Sequence, residues 1–99
     1  MGAPSKKGLS IVWTSMAARM LDGTGEYIAK DNPKAATSLL KQIRKSVKLL
    51  QSHPFLGRRT EFENVRELVV HPNYIVSYRV STDTVQILQV WHVAQKRYH

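Results

Sequence analysis

A chain of 99 residues, 42% hydrophobic and 22% charged, has room for one core but not two, and that composition excludes wholesale disorder. With no cysteine, a disulfide scaffold and a thiolate metal site are excluded, and no apolar run approaches the roughly 18 residues that cross a membrane. A formal net charge of +8, from 15 Lys and Arg against 7 acids, suits an anionic partner such as nucleic acid, an anionic surface or an acidic protein.

Residues 1–8 contain Ala3, Pro4, Ser5 and the pair Lys6-Lys7 and read as a flexible basic lead-in. They lack the hydrophobic stretch of a signal peptide, so a cytoplasmic protein is expected, with a single domain over 9–99. Leu9 to Trp13 suits a first strand, after which Thr14 or Ser15 can cap a helix. That helix is predicted over Ser15 to Lys30, with Met16, Met20, Tyr27 and Ile28 as its apolar stripe. Gly23 and Gly25 lie inside it, each costing about 0.5–1 kcal/mol relative to alanine, which predicts a weak or bent middle.

Asp31-Asn32-Pro33 marks a restart, since Asn32 can cap and Pro33 fits the first helical position. The spacing of Ala36, Leu39, Leu40, Ile43, Val47 and Leu50 predicts a second helix to about Ser52. Its other side carries Lys34, Lys41, Lys45 and Lys48, either a solvated face or the contact for an acidic partner. His53-Pro54 ends the helix, and Phe55-Leu56-Gly57 with Arg58-Arg59 leads through a polar loop, Thr60 to Asn64.

Three strands follow. Val65 to His71 is rich in valine and leucine and is stopped by Pro72. In Asn73 to Val80, Tyr74, Val76, Tyr78 and Val80 point one way, and Ile75, Ser77 and Arg79 the other. Ser81 to Thr84 has turn chemistry. Val85 to Val93 then places Val85, Ile87 and Trp91 on one face with Leu88 and Val90 on the other, an apolar pattern that predicts an interior strand. The order β-α-α-β-β-β predicts an α+β fold in which a two-helix hairpin covers one face of a small, mainly antiparallel sheet. The opposite face is left to solvent or to function. Residues 1–57 hold nine bases and three acids, 58–99 six and four, so a site on the sheet must use particular arginines rather than bulk charge.

Tyr27 to Ala36, Leu50 to Arg58, Arg66 to Val80 and Val85 to His92, in that order, resemble the RelE/ParE superfamily of type II toxin–antitoxin toxins, over about Leu9 to Arg97. The resemblance implies a growth inhibitor with a role in plasmid stabilisation, neutralised by a cognate antitoxin. RelE-like members are ribosome-dependent mRNA endonucleases, whereas ParE-like members poison DNA gyrase. Cleavage through the 2′-hydroxyl needs a base, cations for the phosphorane charge and an acid for the leaving oxygen. In the nuclease branch an arginine follows the strand tyrosine, where this chain has Ile75, and two lysines alternate along the preceding strand, where it has Arg66 and Leu68. The stretches Arg66 to Val76 and Val90 to Gln95 resemble the ParE branch instead. The expectation is therefore a gyrase poison without an active site of its own.

Two other readings remain: an endonuclease using His92, Arg66 and Tyr98, and a non-toxic homologue that only binds antitoxin. Target or nucleic-acid contacts are expected from Arg58, Arg59, Arg66, Arg79, His92 and Arg97, and antitoxin contacts from Lys41, Lys45 and Lys48. Arg66 is expected to pair with Glu61 or Glu63. Neither a cofactor nor a metal is expected, because His53, His71, His92 and His99 lack ligand spacing and no glycine-rich phosphate loop is present.

Overall fold

A computed structural model describes residues 8–96. The lead-in 1–7 and three candidate C-terminal residues, Arg97, Tyr98 and His99, lie outside them. The elements are β1 (Ser10–Trp13), α1 (Ser15–Ala29), α2 (Pro33–Lys48) with a 3-10 turn Leu49–Gln51, β2 (Arg58–Arg59), β3 (Val65–His71), β4 (Tyr74–Val80), β5 (Thr84–His92) and a short α3 (Val93–Lys96). One sheet runs in the order β1-β5-β4-β3-β2, with β1 parallel to β5 and the other pairs antiparallel. As expected, β5 is interior. The two-residue edge strand β2 replaces the start of a predicted loop, its Arg58 opposite Glu67 and its Arg59 opposite Arg66.

Both helices begin as their sequences dictate. The Thr14 hydroxyl accepts from the Ala17 N–H at 3.1 Å and donates to the Ile87 carbonyl at 2.8 Å, so one side chain caps α1 and ties its start to β5. Asn32 caps α2 by accepting from the Ala35 N–H at 3.0 Å, with Pro33 in the first turn.

The helix layer lies on one sheet face and meets it in a core of Leu21, Leu39, Ile43, Val47 and Leu50 against Val76, Tyr78, Val85, Ile87 and Val90. On α2 the buried residues follow the predicted stripe. On α1 they follow it only in part: Met20 and Ile28 pack against the core, but Met16 is 51% and Tyr27 74% exposed, and the fully buried stripe is Ala17, Leu21 and Gly25. The helix is also unbroken. Gly25 sits where α1 crosses α2, and a Cβ there would lie 2.8 Å from a Leu40 methyl. Its helix penalty is offset by the close approach of two helices, a packing reason that periodicity weighted by residue size passed over.

A second departure lies in β5. Ser77 is opposite Gln89, but Tyr78 is opposite Ile87, so Leu88 is an extra residue in the ladder. The bulge resets the alternation. Val90 joins Val85 and Ile87 in the core, and Trp91 turns to the open face, where its indole N–H donates to the Ser77 hydroxyl at 2.9 Å. The predicted pairing of Trp91 with Val85 is corrected for that reason.

The glycines divide by surroundings. Gly23 has open space around its missing Cβ, whereas a Cβ at Gly57 would lie 2.7 Å from both the Glu67 carbonyl oxygen and the Tyr78 hydroxyl. Gly23→Ala should stabilise the domain by about 0.5–1 kcal/mol, raising the thermal midpoint by roughly 2–8 °C. Gly57→Ala should destabilise it by about 1–3 kcal/mol. Thermal and urea unfolding of the two variants would test both signs.

Candidate functional site

The strongest local constraint outside the core is at the exit from α2. Tyr78 is fully buried, and its hydroxyl reaches the segment Pro54–Gly57 from below. It accepts from the Gly57 N–H at 2.8 Å and donates to the Pro54 carbonyl at 2.8 Å. Arg66, opposite Tyr78 on β3, holds the same segment from the side. Its guanidinium donates to the Gly57 carbonyl at 2.8 Å and to the Phe55 carbonyl at 3.4 Å, and lies 4.9 Å from the centre of the Phe55 ring. The expected pairing of Arg66 with Glu61 or Glu63 is thus replaced by backbone carbonyls and a ring. Burial raises the Tyr78 pKa, while the Gly57 N–H and the Arg66 charge pull it the other way.

Beside this clamp, Arg58 makes a 3.2 Å ion pair with Glu67, an acid buried on the open face of β3. The chain then turns through Thr60–Asn64. The Thr60 N–H bonds the Val65 carbonyl, and Asn64 adopts a left-handed conformation at φ 65° that asparagine tolerates. This turn leans over the open sheet face. Together they form a groove of about 1090 Å³ whose walls include Met16, Phe62, Arg79, Gln89 and Trp91. A smaller hollow of about 570 Å³ lies between Phe55 and Phe62 over Val65 and Val80. Arg59, Glu61 and Glu63 line both.

The expected contact residues fall into separate places. Arg58, Arg59 and Arg66 gather at the β2 edge, and Arg59 shares the open groove with Arg79. His92 stands apart. It is opposite Tyr74, with Arg66 opposite Tyr78, so four residues of β4, about 13 Å, separate the two along the strand. Its Nδ1 accepts from the Ala94 N–H at 3.1 Å, and its ring meets Tyr74 edge-on at 5.1 Å. The expected nuclease set of His92, Arg66 and Tyr98 therefore has two members that do not converge and a third outside the described residues.

The positions compared with the nuclease cations do not share a face either. Leu68 packs on the core and Arg66 pairs with core-facing Tyr78, while Ile75 lies opposite Val69 and Trp91 and is buried on the other side. Lys41, Lys45 and Lys48 are all exposed on α2. No ion pair involves them among the described residues. Among those residues, too, no three His, Asp or Glu side chains are grouped to hold a metal ion.

Sequence reasoning missed Glu67, Trp91 and Tyr78 as organising residues. The β4 alternation gives Tyr78 a face but no role for its hydroxyl. The available signal was Gly57 itself, a glycine between Leu56 and Arg58 at the close approach of loop and strand.

Comparison with known proteins places the chain. Residues 11–97 match the family model described as the ParE toxin of the type II toxin–antitoxin system parDE. Y4kP of Sinorhizobium fredii, which its name describes as a candidate toxin, is 42% identical over 87 residues, 87% of this chain and 90% of that one. Toxin RelE2 of Caulobacter vibrioides is 32% identical over 85 residues, 86% and 96% of the two chains. The solved chromosomal ParDE system of P. aeruginosa matches with a TM-score of 0.75 and 29% identity, covering 87% of this chain and 97% of that one.

Tyr78→Phe would strand the Gly57 N–H and the Pro54 carbonyl, at a cost of about 1–3 kcal/mol in urea unfolding. The pH dependence has a definite sign. The folded-state pKa lies above the ordinary 10.0, so the contribution of the neutral phenol is complete below pH 10 and is lost as pH rises through the folded value. Stability measured across that alkaline window should fall more steeply for the wild type than for Tyr78→Phe.

Proposed function

This chain belongs to the family of ParE toxins of type II toxin–antitoxin systems, and from that premise we propose that it arrests growth by poisoning DNA gyrase and is neutralised by its own antitoxin. The observation that supports the gyrase branch is the dispersal of the groups an RNA cleavage would need. Transfer of the 2′-hydroxyl proton, neutralisation of the phosphorane and protonation of the leaving oxygen require groups within hydrogen-bond reach of one phosphate. Here Arg66 is spent on carbonyls, Ile75 occupies the open face beside Trp91, and His92 is about 13 Å along the strand from Arg66. Such a face suits binding of a macromolecule rather than chemistry on one.

The partners follow from the same surfaces. The open groove combines apolar Met16, Phe62 and Trp91 with charged Arg59, Arg79 and Glu63, and α2 offers Lys41, Lys45 and Lys48. An acidic, amphipathic antitoxin segment that folds on binding would cover the sheet edge or the helix hairpin and meet the lysines. Arg58, Arg59, Arg66 and Arg79 lie on the side given to the target, with the β2 edge as its centre. No helix among the described residues is long and apolar enough to cross a membrane, and we place the toxin in the cytoplasm, where gyrase and the antitoxin are.

Incubation of antitoxin-free protein with gyrase and supercoiled plasmid, beside a translating-ribosome reaction read by primer extension, tests the proposal. Trapped cleaved DNA with intact mRNA is the expected outcome. Codon-positioned mRNA cuts with untouched gyrase would overturn it, and no effect in either reaction or on growth would point to a non-toxic homologue. Separately, Lys41→Glu, Lys45→Glu and Lys48→Glu together should slow antitoxin association, with the effect shrinking as salt is raised. Unchanged association at low salt would leave that row a solvated face.

A further inference from the structure

We infer that Arg66 and Tyr78 are positioning residues, and that the group they position, the exposed pair Phe55 and Leu56, is the apolar anchor by which the toxin grips a protein target. The inference rests on the reading of the chain as a toxin with a macromolecular target, whichever target that is.

The segment that carries the pair is held at several points. A fully buried tyrosine hydroxyl fixes the Pro54 carbonyl and the Gly57 N–H, and an arginine fixes the carbonyls of Phe55 and Gly57. Gly57 is packed so closely that a methyl group would collide with Tyr78 and with the β3 backbone. Yet the side chains carried on this rigid segment point outward: Phe55 is 65% and Leu56 50% exposed. Across the small hollow Phe62 is again 65% exposed. For the isolated chain, fixing apolar side chains in water gains little, because burial is what makes them stabilising. For binding, a fixed loop removes the entropy of ordering it on contact, and aromatic and arginine side chains around a hollow form the usual composition of an interface hot spot.

The charges around the pair identify the kind of partner. Arg58 is engaged by Glu67, and Arg66 by the loop itself. The hollow is lined by Arg59 and Arg66 but also by Glu61 and Glu63. A nucleic-acid backbone would bring phosphates against those two carboxylates, which stand beside the charges of Arg59 and Arg66 on the same lining and offset them. A protein surface with an apolar side chain for the space between the rings, and polar groups of both signs around it, fits the mixed rim.

The test is growth arrest on expression without antitoxin, with thermal unfolding of each purified variant. Phe55→Ser with Leu56→Ser should leave the midpoint near that of the wild type and raise the expression level needed for arrest at least tenfold. Leu56→Asp, which leaves the Phe55 ring under Arg66 in place, should do the same should the double variant fail to fold. Arg66→Met keeps apolar contact with the Phe55 ring but loses both carbonyl bonds, and should weaken arrest. Arg66→Lys, which keeps the charge and restores one such bond, should recover part of it; a direct phosphate contact of Arg66 would give the same recovery but would leave Phe55→Ser/Leu56→Ser at the wild-type level. Folded Phe55→Ser/Leu56→Ser and Leu56→Asp variants that arrest growth at the wild-type level would overturn the inference. Loss of arrest in these variants, with no gyrase cleavage by the wild type, would instead overturn the gyrase reading and leave the anchor standing.

Discussion

The hydroxyl of Tyr78 ties the segment that leaves the helix layer to the sheet. It is buried in the core-facing row of β4, where an unpaired phenol would be costly, and its two hydrogen bonds both go to the segment leaving the helix layer. Those bonds fix where the chain can turn after Leu50, hence where β2 can pair with β3, and hence where Arg58 and Arg59 emerge. The close approach that makes the bonds possible also dictates glycine at position 57. The Tyr78 hydroxyl, with Arg66 beside it, thus positions the start of the β2 edge.

A different device shapes the open face. Without the extra residue Leu88, strict alternation would carry Trp91 into the core and Val90 out of it. With it, both apolar rows of β5 end where they are useful. Val90 closes the core beneath the helices, and the Trp91 indole lies over the sheet, tied to Ser77. Bulges re-aim side chains in this way wherever a strand must serve two surfaces. Here the result is a groove that sets the Trp91 indole and the Gln89 amide beside Arg59 and Arg79.

Much of this was legible in the sequence, and the failures have physical causes. The α2 stripe, its Asn32–Pro33 start, the β4 alternation and the interior place of β5 all follow from period and capping, which depend on local residues alone. The α1 stripe was partly misread because Met16 and Tyr27 are larger than Ala17 and Gly25, whereas the helix crossing demands small residues where backbones meet. The Trp91 face was misread because a bulge is a property of two strands together, invisible in one. Arg66 was assigned a carboxylate partner because sequence lists side chains, and the acceptors it finds are the carbonyls of Phe55 and Gly57. As for the site, its residue types were visible, but their division between two faces and two ends of the sheet was not.

That division bears on how so basic a protein can be selective. In the sheet half, the arginines near the β2 edge are largely committed: Arg58 to Glu67 and Arg66 to the loop. In the helix half, Lys41, Lys45 and Lys48 stand exposed on one side of α2. Exposed charge acts over a Debye length of about 8–10 Å and governs the rate of encounter with anything acidic, whereas Arg58 is offset by Glu67, and Arg66, held by neutral carbonyls, adds a fixed positive charge to a rim of both signs. The molecule therefore separates attraction from grip. Its long-range field comes mainly from the helix layer, and its rigid, mixed-polarity surface lies at the β2 edge. A partner drawn by the first must still match the second, whose hollow sets Glu61 and Glu63 beside Arg59 and Arg66.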